Sequence, residues 1–135
     1  MSHERIQTSG APAAIGPYSQ AIRAGEFLFC AGQVGLDPAT GALAGSFEDQ
    51  VERALDNVAA VLAAAGLGFP DVIKTTCFLV DLGDFQVFNE RYGRRFGESV
   101  PARSTVAVAG LPRGARVEIE VIAHRASLVP AVARG

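Results

Sequence analysis

From residue 46 to residue 66 the apolar positions recur at helical spacing. Phe47, Val51, Leu55, Val58 and Leu62 fall four, four, three and four residues apart, on one face, while Glu48, Glu52 and Asp56 point away. Ser46 opens this helix, and Asp49 stands three residues later, a capping-box spacing that satisfies free N–H groups of the first turn. Gly66 supplies a left-handed stop. A second stripe, Phe85, Phe88, Tyr92 and Phe96, predicts a helix beginning near Asp84. Elsewhere the pattern is that of strands. Residues 19–24 ("SQAIRA") turn through Gly25-Glu26 into 27–34 ("FLFCAGQV"), and 72–80 ("VIKTTCFLV") is β-branched and long enough for a central strand. Two more runs, 102–109 ("ARSTVAVA") and 115–123 ("ARVEIEVIA"), flank the turn-rich "GLPRG". The segment "GLDPATGAL" has the chemistry of a loop, and the last ten residues, 126–135, are expected to be loosely ordered.

Strands, helix, strand, helix, strands is the order of an α+β fold: a mixed sheet with two helices on one side. Each helix has one apolar face, so together they cover one face of the sheet. The chain has no third layer for the other face, and burial against copies of itself predicts an oligomer. Nothing divides the 135 residues by repeat, low-complexity tract or linker, so one domain is expected.

Composition narrows the function. Apolar residues make up 49% and charged ones 19%, which excludes a wholly disordered chain. A formal net charge of −2 gives no general attraction to phosphate backbones or anionic membranes. The N-terminal "MSHERIQTSG" lacks the apolar core of a signal peptide, and the longest apolar run, "VAAVLAAAGLGF", is well short of the roughly 20 residues that span a membrane. Two cysteines, Cys30 and Cys77, form no disulfide framework and point to a reducing cytoplasm. Only two histidines, His3 and His124, are present, against a histidine-rich metal site.

A few polar residues do not fit the core. In 117–123, alternation sends Val117, Ile119, Val121 and Ala123 to one face and Glu118, Glu120 and Ile122 to the other. Arg103 and Thr105 share a face of the preceding strand by the same rule. Arg103 is either a surface side chain, capping the strand or in an exposed salt bridge such as one with Glu118, or an anion clamp whose planar fork fits a carboxylate with two parallel hydrogen bonds. Glu118 is either a solvated strand position, a partner for Arg103, or a general base that holds water, and Glu120 has an equal claim. Ser19, Ser104 and His124 form no recognisable nucleophile arrangement, and neither G-x-S-x-G nor a P-loop occurs. The basic run "RYGRR", 91–95, lies in the last turns of the second helix, where cations complement the helix dipole.

The blocks "APAAIGPYSQAI" (11–22), "FCAGQV" (29–34), "DNVAAVLAAAG" (56–66), "VIKTTCFLVDLGDFQVFNERY" (72–92), "PARSTVAV" (101–108) and "VEIEVIA" (117–123) resemble, in order, the reactive intermediate deaminases (RidA/YjgF family), also known as endoribonuclease L-PSP or translation initiation inhibitor. The resemblance runs from about Thr8 to Arg125. It implies a chorismate-mutase-like fold assembled as a homotrimer with active sites in clefts between subunits. It also implies hydrolysis of 2-imino acids, or their enamine tautomers such as 2-aminoacrylate, to 2-oxo acids and ammonia, with neither cofactor nor metal. Carried onto this chain, it makes Arg103 the carboxylate-binding arginine and Glu118 the residue that positions or activates water. Tyr18 becomes the pocket tyrosine, Gly32 and Thr105 positions whose backbone approaches the ligand, and Asn89 a polar residue near the cleft. Two positions depart from the common pattern. Ala31 stands where many relatives have Ser, losing a hydroxyl, and Thr105 where many have Cys, which excludes chemistry that relies on a thiol there. Two other functions stay open at this point: an RNA-directed role, and a non-catalytic trimer that binds small carboxylates.

Overall fold

The computed structural model describes residues 3–125, so the expectation for 126–135 lies outside the described residues. Eight principal elements follow one another: β1 (Glu4–Ile6), β2 (Ala21–Ala24), β3 (Phe27–Cys30), α1 (Phe47–Ala64), β4 (Val72–Leu79), α2 (Phe85–Phe96), β5 (Ala102–Ala107) and β6 (Val117–His124). The strands form one six-stranded sheet in the order β1-β2-β3-β6-β4-β5. Only β4 and β5 run parallel, joined by a crossover through α2. Every other pairing is antiparallel.

The expected helices form for the expected reasons. Ser46 Oγ accepts a hydrogen bond from the Asp49 N–H at 3.0 Å, and all five residues of the α1 stripe are buried. Past its end, Gly66 adopts φ 78°, and the Leu67 N–H donates back to the Leu62 carbonyl at 2.9 Å. In α2 the buried residues are Phe88, Tyr92 and Phe96, while Phe85 stays 37% exposed. Both helices and the inward-facing residues of β3, β4 and β6 belong to one core, with Val117, Ile119, Val121 and Ala123 all buried as alternation predicts. Two of the three arginines of "RYGRR" are tied to α1: Arg91 pairs with Glu52 at 3.3 Å, and Arg95 with Glu52 and Asp56 at 3.0 and 2.9 Å.

The strand limits need correction. The three-residue strand β1 is unannounced in the sequence. Residues 19–20 do not join β2, because the Gln20 side chain is buried to hold the preceding loop: its Oε1 accepts from the Thr8 N–H at 2.7 Å and its Nε2 donates to the Pro12 carbonyl at 2.8 Å. The strand expected over 27–34 stops at Cys30. One further bond in the β2–β3 register follows, the Ala31 N–H donating to the Gln20 carbonyl opposite it at 2.9 Å, and Gln33 then meets the sheet as a single bridge to Ile119. Likewise β5 ends at Ala107 rather than 109, and β6 covers 117–124 rather than 115–123.

Beyond that bridge the chain leans on α1. Asn57 Nδ2 donates to the carbonyls of Val34 and Leu36 at 3.0 and 2.9 Å. Gly35 permits the approach, since a Cβ there would sit 2.7 Å from the Gln50 backbone.

Among the described residues no helix covers the other face of the sheet. Phe27 and Phe29 are 41% and 47% exposed there, and Val106 44%. Glu118, Glu120 and Ile122 share this face with Phe78 and Thr76, their partners across the ladder being Phe78 for Glu118 and Thr76 for Glu120.

Candidate active site

The residues singled out in the sequence fall into two groups, on opposite faces of the sheet. Arg103 of β5 stands beside Thr75 of β4, whose side chain is buried on the helix side. Partners across a ladder project to the same face, so Arg103 projects toward α2. Its guanidinium carbon lies 4.9 Å from the Tyr92 ring centroid, 5.4 Å from Phe85 and 5.8 Å from Phe88. Among the described residues no carboxylate pairs with it. Thr105, two residues on and beside buried Cys77, faces the same way. Its Oγ1 and the Oδ1 of Asn89, on α2, are buried atoms without a hydrogen-bond partner among the described residues. Such groups are costly to leave unmade and are where a ligand's polar atoms fit.

The second group surrounds Glu118. This half-buried carboxylate borders a cavity of about 280 Å³ whose walls include Tyr18, Gly32, Ile15, Pro112 and Arg113. Burial pushes its carboxyl above the usual glutamate range, and the neighbouring Glu120 carboxylate pushes it further. Gly32 makes room for it: a Cβ at this position would collide with Glu118 Oε2 and stand 2.7 Å from its Cδ. Tyr18 is presented on a turn in which Gly16 takes φ 115° and the Tyr18 N–H donates to the Gly16 carbonyl at 2.9 Å. A larger open groove, about 740 Å³, runs along the segment from Arg5 to Gln20, but neither Glu118 nor Arg103 borders it.

Arg103 and Glu118 are therefore not a pair within one chain, contrary to one of the readings the sequence allowed. β4 separates their strands. Glu118 stands beside Phe78, and Phe78 beside Val106, so Glu118 shares a face with Val106. Arg103 is an odd number of residues from Val106 and faces the other way.

Two contributors were not legible as such in the sequence. The stripe of α2 reads as core, and only the structure shows its rings against Arg103. Arg113, inside the turn "GLPRG", takes the left-handed φ of 62°, and its guanidinium donates to the Gly41 carbonyl at 3.0 Å. The turn-rich composition of "GLPRG" announced a turn there, but not that Arg113 itself would take the left-handed conformation. Of the remaining candidates, His124 and the two cysteines have structural surroundings. His124 packs edge-on against Phe27 at 4.8 Å. The thiols of Cys30 and Cys77 are pushed up by burial to about 12 and about 11, which makes both inert as nucleophiles near neutral pH.

Residues 8–125 match the family described as endoribonuclease L-PSP. The chain belongs to that family, which includes the Rid/YjgF proteins. Among its L-PSP relatives, the RutC family protein of Pyrococcus horikoshii is 51% identical over 90% of this chain and 98% of its own. The 2-iminobutanoate/2-iminopropanoate deaminase of Mus musculus is 48% identical over 93% of this chain and 94% of its own. Among solved L-PSP structures, TdcF of E. coli with bound serine superposes with a TM-score of 0.88 at 44% identity, covering 91% of this chain and 99% of that one. RidA from the Antarctic bacterium Psychrobacter gives 0.88 at 45% identity, covering 90% and 98%.

Proposed function

We propose that this protein hydrolyses small 2-imino acids, and their enamine tautomers, to 2-oxo acids and ammonia, in sites shared between copies of the chain. The observation that carries this reading is the pair of complementary half-sites. One presents a cation that has no counter-ion among the described residues, beside two polar atoms unpartnered there. The other presents a desolvated carboxylate lining a cavity. Each lacks what the other has, and only a second copy brings them together. The uncovered sheet face, with Phe27, Phe29 and Val106 exposed, offers the surface for that assembly, which we take to be the homotrimer implied by the resemblance.

In this scheme Arg103 of one copy receives the substrate carboxylate on two parallel N–H donors and fixes the position of the imine carbon. Glu118 of a neighbouring copy holds a water. An iminium carbon is already electrophilic, so no covalent nucleophile is required. As the water oxygen bonds to carbon, Glu118 takes its proton, and the C=N electron pair moves to nitrogen, giving a carbinolamine. Glu118 then returns the proton to that nitrogen. As the C–N bond breaks with its electron pair going to nitrogen, the hydroxyl O–H electrons close the C=O and Glu118 accepts that last proton. Ammonia carries it off as ammonium, leaving the 2-oxo acid and an ionised Glu118. A carboxylate whose pKa is raised is a better base for this exchange than an ordinary one. Relatives named 2-iminobutanoate/2-iminopropanoate deaminase, and one crystallised with serine, support an amino-acid-like ligand. The ribonuclease reading finds less support, because Arg91 and Arg95 are engaged by α1 carboxylates. The test is to generate 2-aminoacrylate or 2-iminobutanoate in situ with a dehydratase and follow its decay with and without the protein. Faster decay is expected, and an unchanged rate would leave a carboxylate-binding protein without this activity.

Glu120 yields a prediction of its own. Its negative charge helps to hold the Glu118 pKa up, so Glu120→Gln should lower that pKa. Glu118 acts ionised, so the acid limb of the kcat/KM profile should move to lower pH with the plateau little changed. A limb that stays where it was would show that the two carboxylates do not sense each other.

A further inference from the structure

Arg103 is held by rings where a carboxylate would be expected. An arginine at a sheet edge ordinarily finds an Asp or Glu, which fixes the guanidinium but neutralises it and occupies its fork. Here Phe85, Phe88 and Tyr92, at consecutive turns of one α2 face, stand within 5.8 Å of the guanidinium carbon instead. Aromatic faces attract the cation and limit its orientations, yet they accept none of its N–H donors in the plane of the fork. The nearest ring is itself anchored. The Tyr92 hydroxyl and Thr75 Oγ1 share a hydrogen bond of 2.7 Å in a fully buried setting, and Thr75 is the residue beside Arg103 in the β4–β5 ladder. One chain of contacts thus links β4, α2 and β5 at the guanidinium.

We infer that Tyr92, braced by Thr75 and joined by Phe85, is a positioning residue that presents Arg103, oriented and un-neutralised, to the substrate's carboxylate. This rests on the reading of Arg103 as the carboxylate clamp, and adds the device that holds the clamp ready. Its signature is that the rings act only through Arg103.

A double-mutant cycle on the full-length assembly reads this directly, with 2-oxobutanoate as the probe and affinity followed by NMR titration to high ligand concentration. Tyr92→Leu and Phe85→Leu should each weaken 2-oxobutanoate binding by roughly three- to tenfold, and Tyr92→Phe, which keeps the ring, should recover most of the loss. In an Arg103→Ala background the same ring substitutions should change affinity little. Phe85 is partly exposed, so Phe85→Leu gives the answer even if Tyr92→Leu fails to fold. Unchanged affinity in both folded ring variants, while Arg103→Ala loses binding, would overturn the inference and leave the clamp standing. Ring effects of equal size with and without Arg103 would also overturn it, as purely structural losses. Full binding by Arg103→Ala would remove the clamp reading itself, and this inference with it.

Discussion

Arg103→Ala is expected to abolish measurable imine hydrolysis while leaving fold and assembly intact. The residue is exposed, pairs with no carboxylate among the described residues, and packs against rings already embedded in α2, so its removal opens no core cavity. What is lost is a charge-assisted, two-pronged contact with the substrate, worth at least roughly 1.5–3 kcal/mol, and with it the orientation of the imine carbon toward the water. Arg103→Lys should rescue poorly, because an ammonium cannot reproduce the planar fork. The measurement is kcat/KM for 2-iminobutanoate generated in situ, alongside thermal unfolding and sedimentation. Full activity in a folded Arg103→Ala assembly would mean that the carboxylate is bound elsewhere.

Glu118→Gln should separate chemistry from binding. The amide is nearly isosteric and still able to hydrogen-bond a water, but it cannot take the proton. General-base assistance is typically worth about 10²- to 10⁴-fold, so a rate defect in that range is expected, with 2-oxobutanoate affinity nearly unchanged. Stability should move the other way. The folded-state pKa of Glu118 is raised, so its contribution is fully present below the unfolded pKa and is lost as pH rises through the folded value. At neutral pH the ionised, half-buried carboxylate is a net destabilising group. Glu118→Gln should therefore unfold at the same temperature as the parent or slightly above it, a combination that ordinary damage to the site would not produce. A lower melting temperature together with lost ligand binding would assign Glu118 a structural role.

Local pattern made much of the fold legible. The Ser46 cap, the Phe47-to-Leu62 stripe and the Gly66 stop are all encoded within a few residues of where they act. So is the alternation of β6, which separates Val117, Ile119 and Val121 from Glu118 and Glu120. β1 was not legible because three residues carry no readable period. The end of β3 was not legible because the apolar run continues past Cys30 while the regular ladder gives way to an isolated bridge between Gln33 and the distant Ile119. The relation between Arg103 and Glu118 was hidden for the same kind of reason. Alternation tells which residues of one strand share a face, but not which strand lies between two others. That follows from the parallel β4-α2-β5 crossover, a long-range pairing that no local signal announces. The roles given to Tyr18, Gly32 and Asn89 came through family resemblance. The structure adds physical reasons for attending to two of them: the space that Gly32 leaves for Glu118, and the unpartnered Oδ1 of Asn89.

The central claim is that no single chain holds a complete site. Co-expressing Arg103→Ala and Glu118→Gln chains under two affinity tags, and isolating assemblies that carry both, tests it most directly. Each variant alone should be nearly inactive. In a trimer that carries both kinds of chain, whichever kind is present twice, one interface of the three joins an intact Arg103 to an intact Glu118, so about one third of the sites are restored. Activity near that fraction of the parent protein is the predicted result. Mixed assemblies no more active than either variant alone would contradict the shared site and return the chemistry to a single chain.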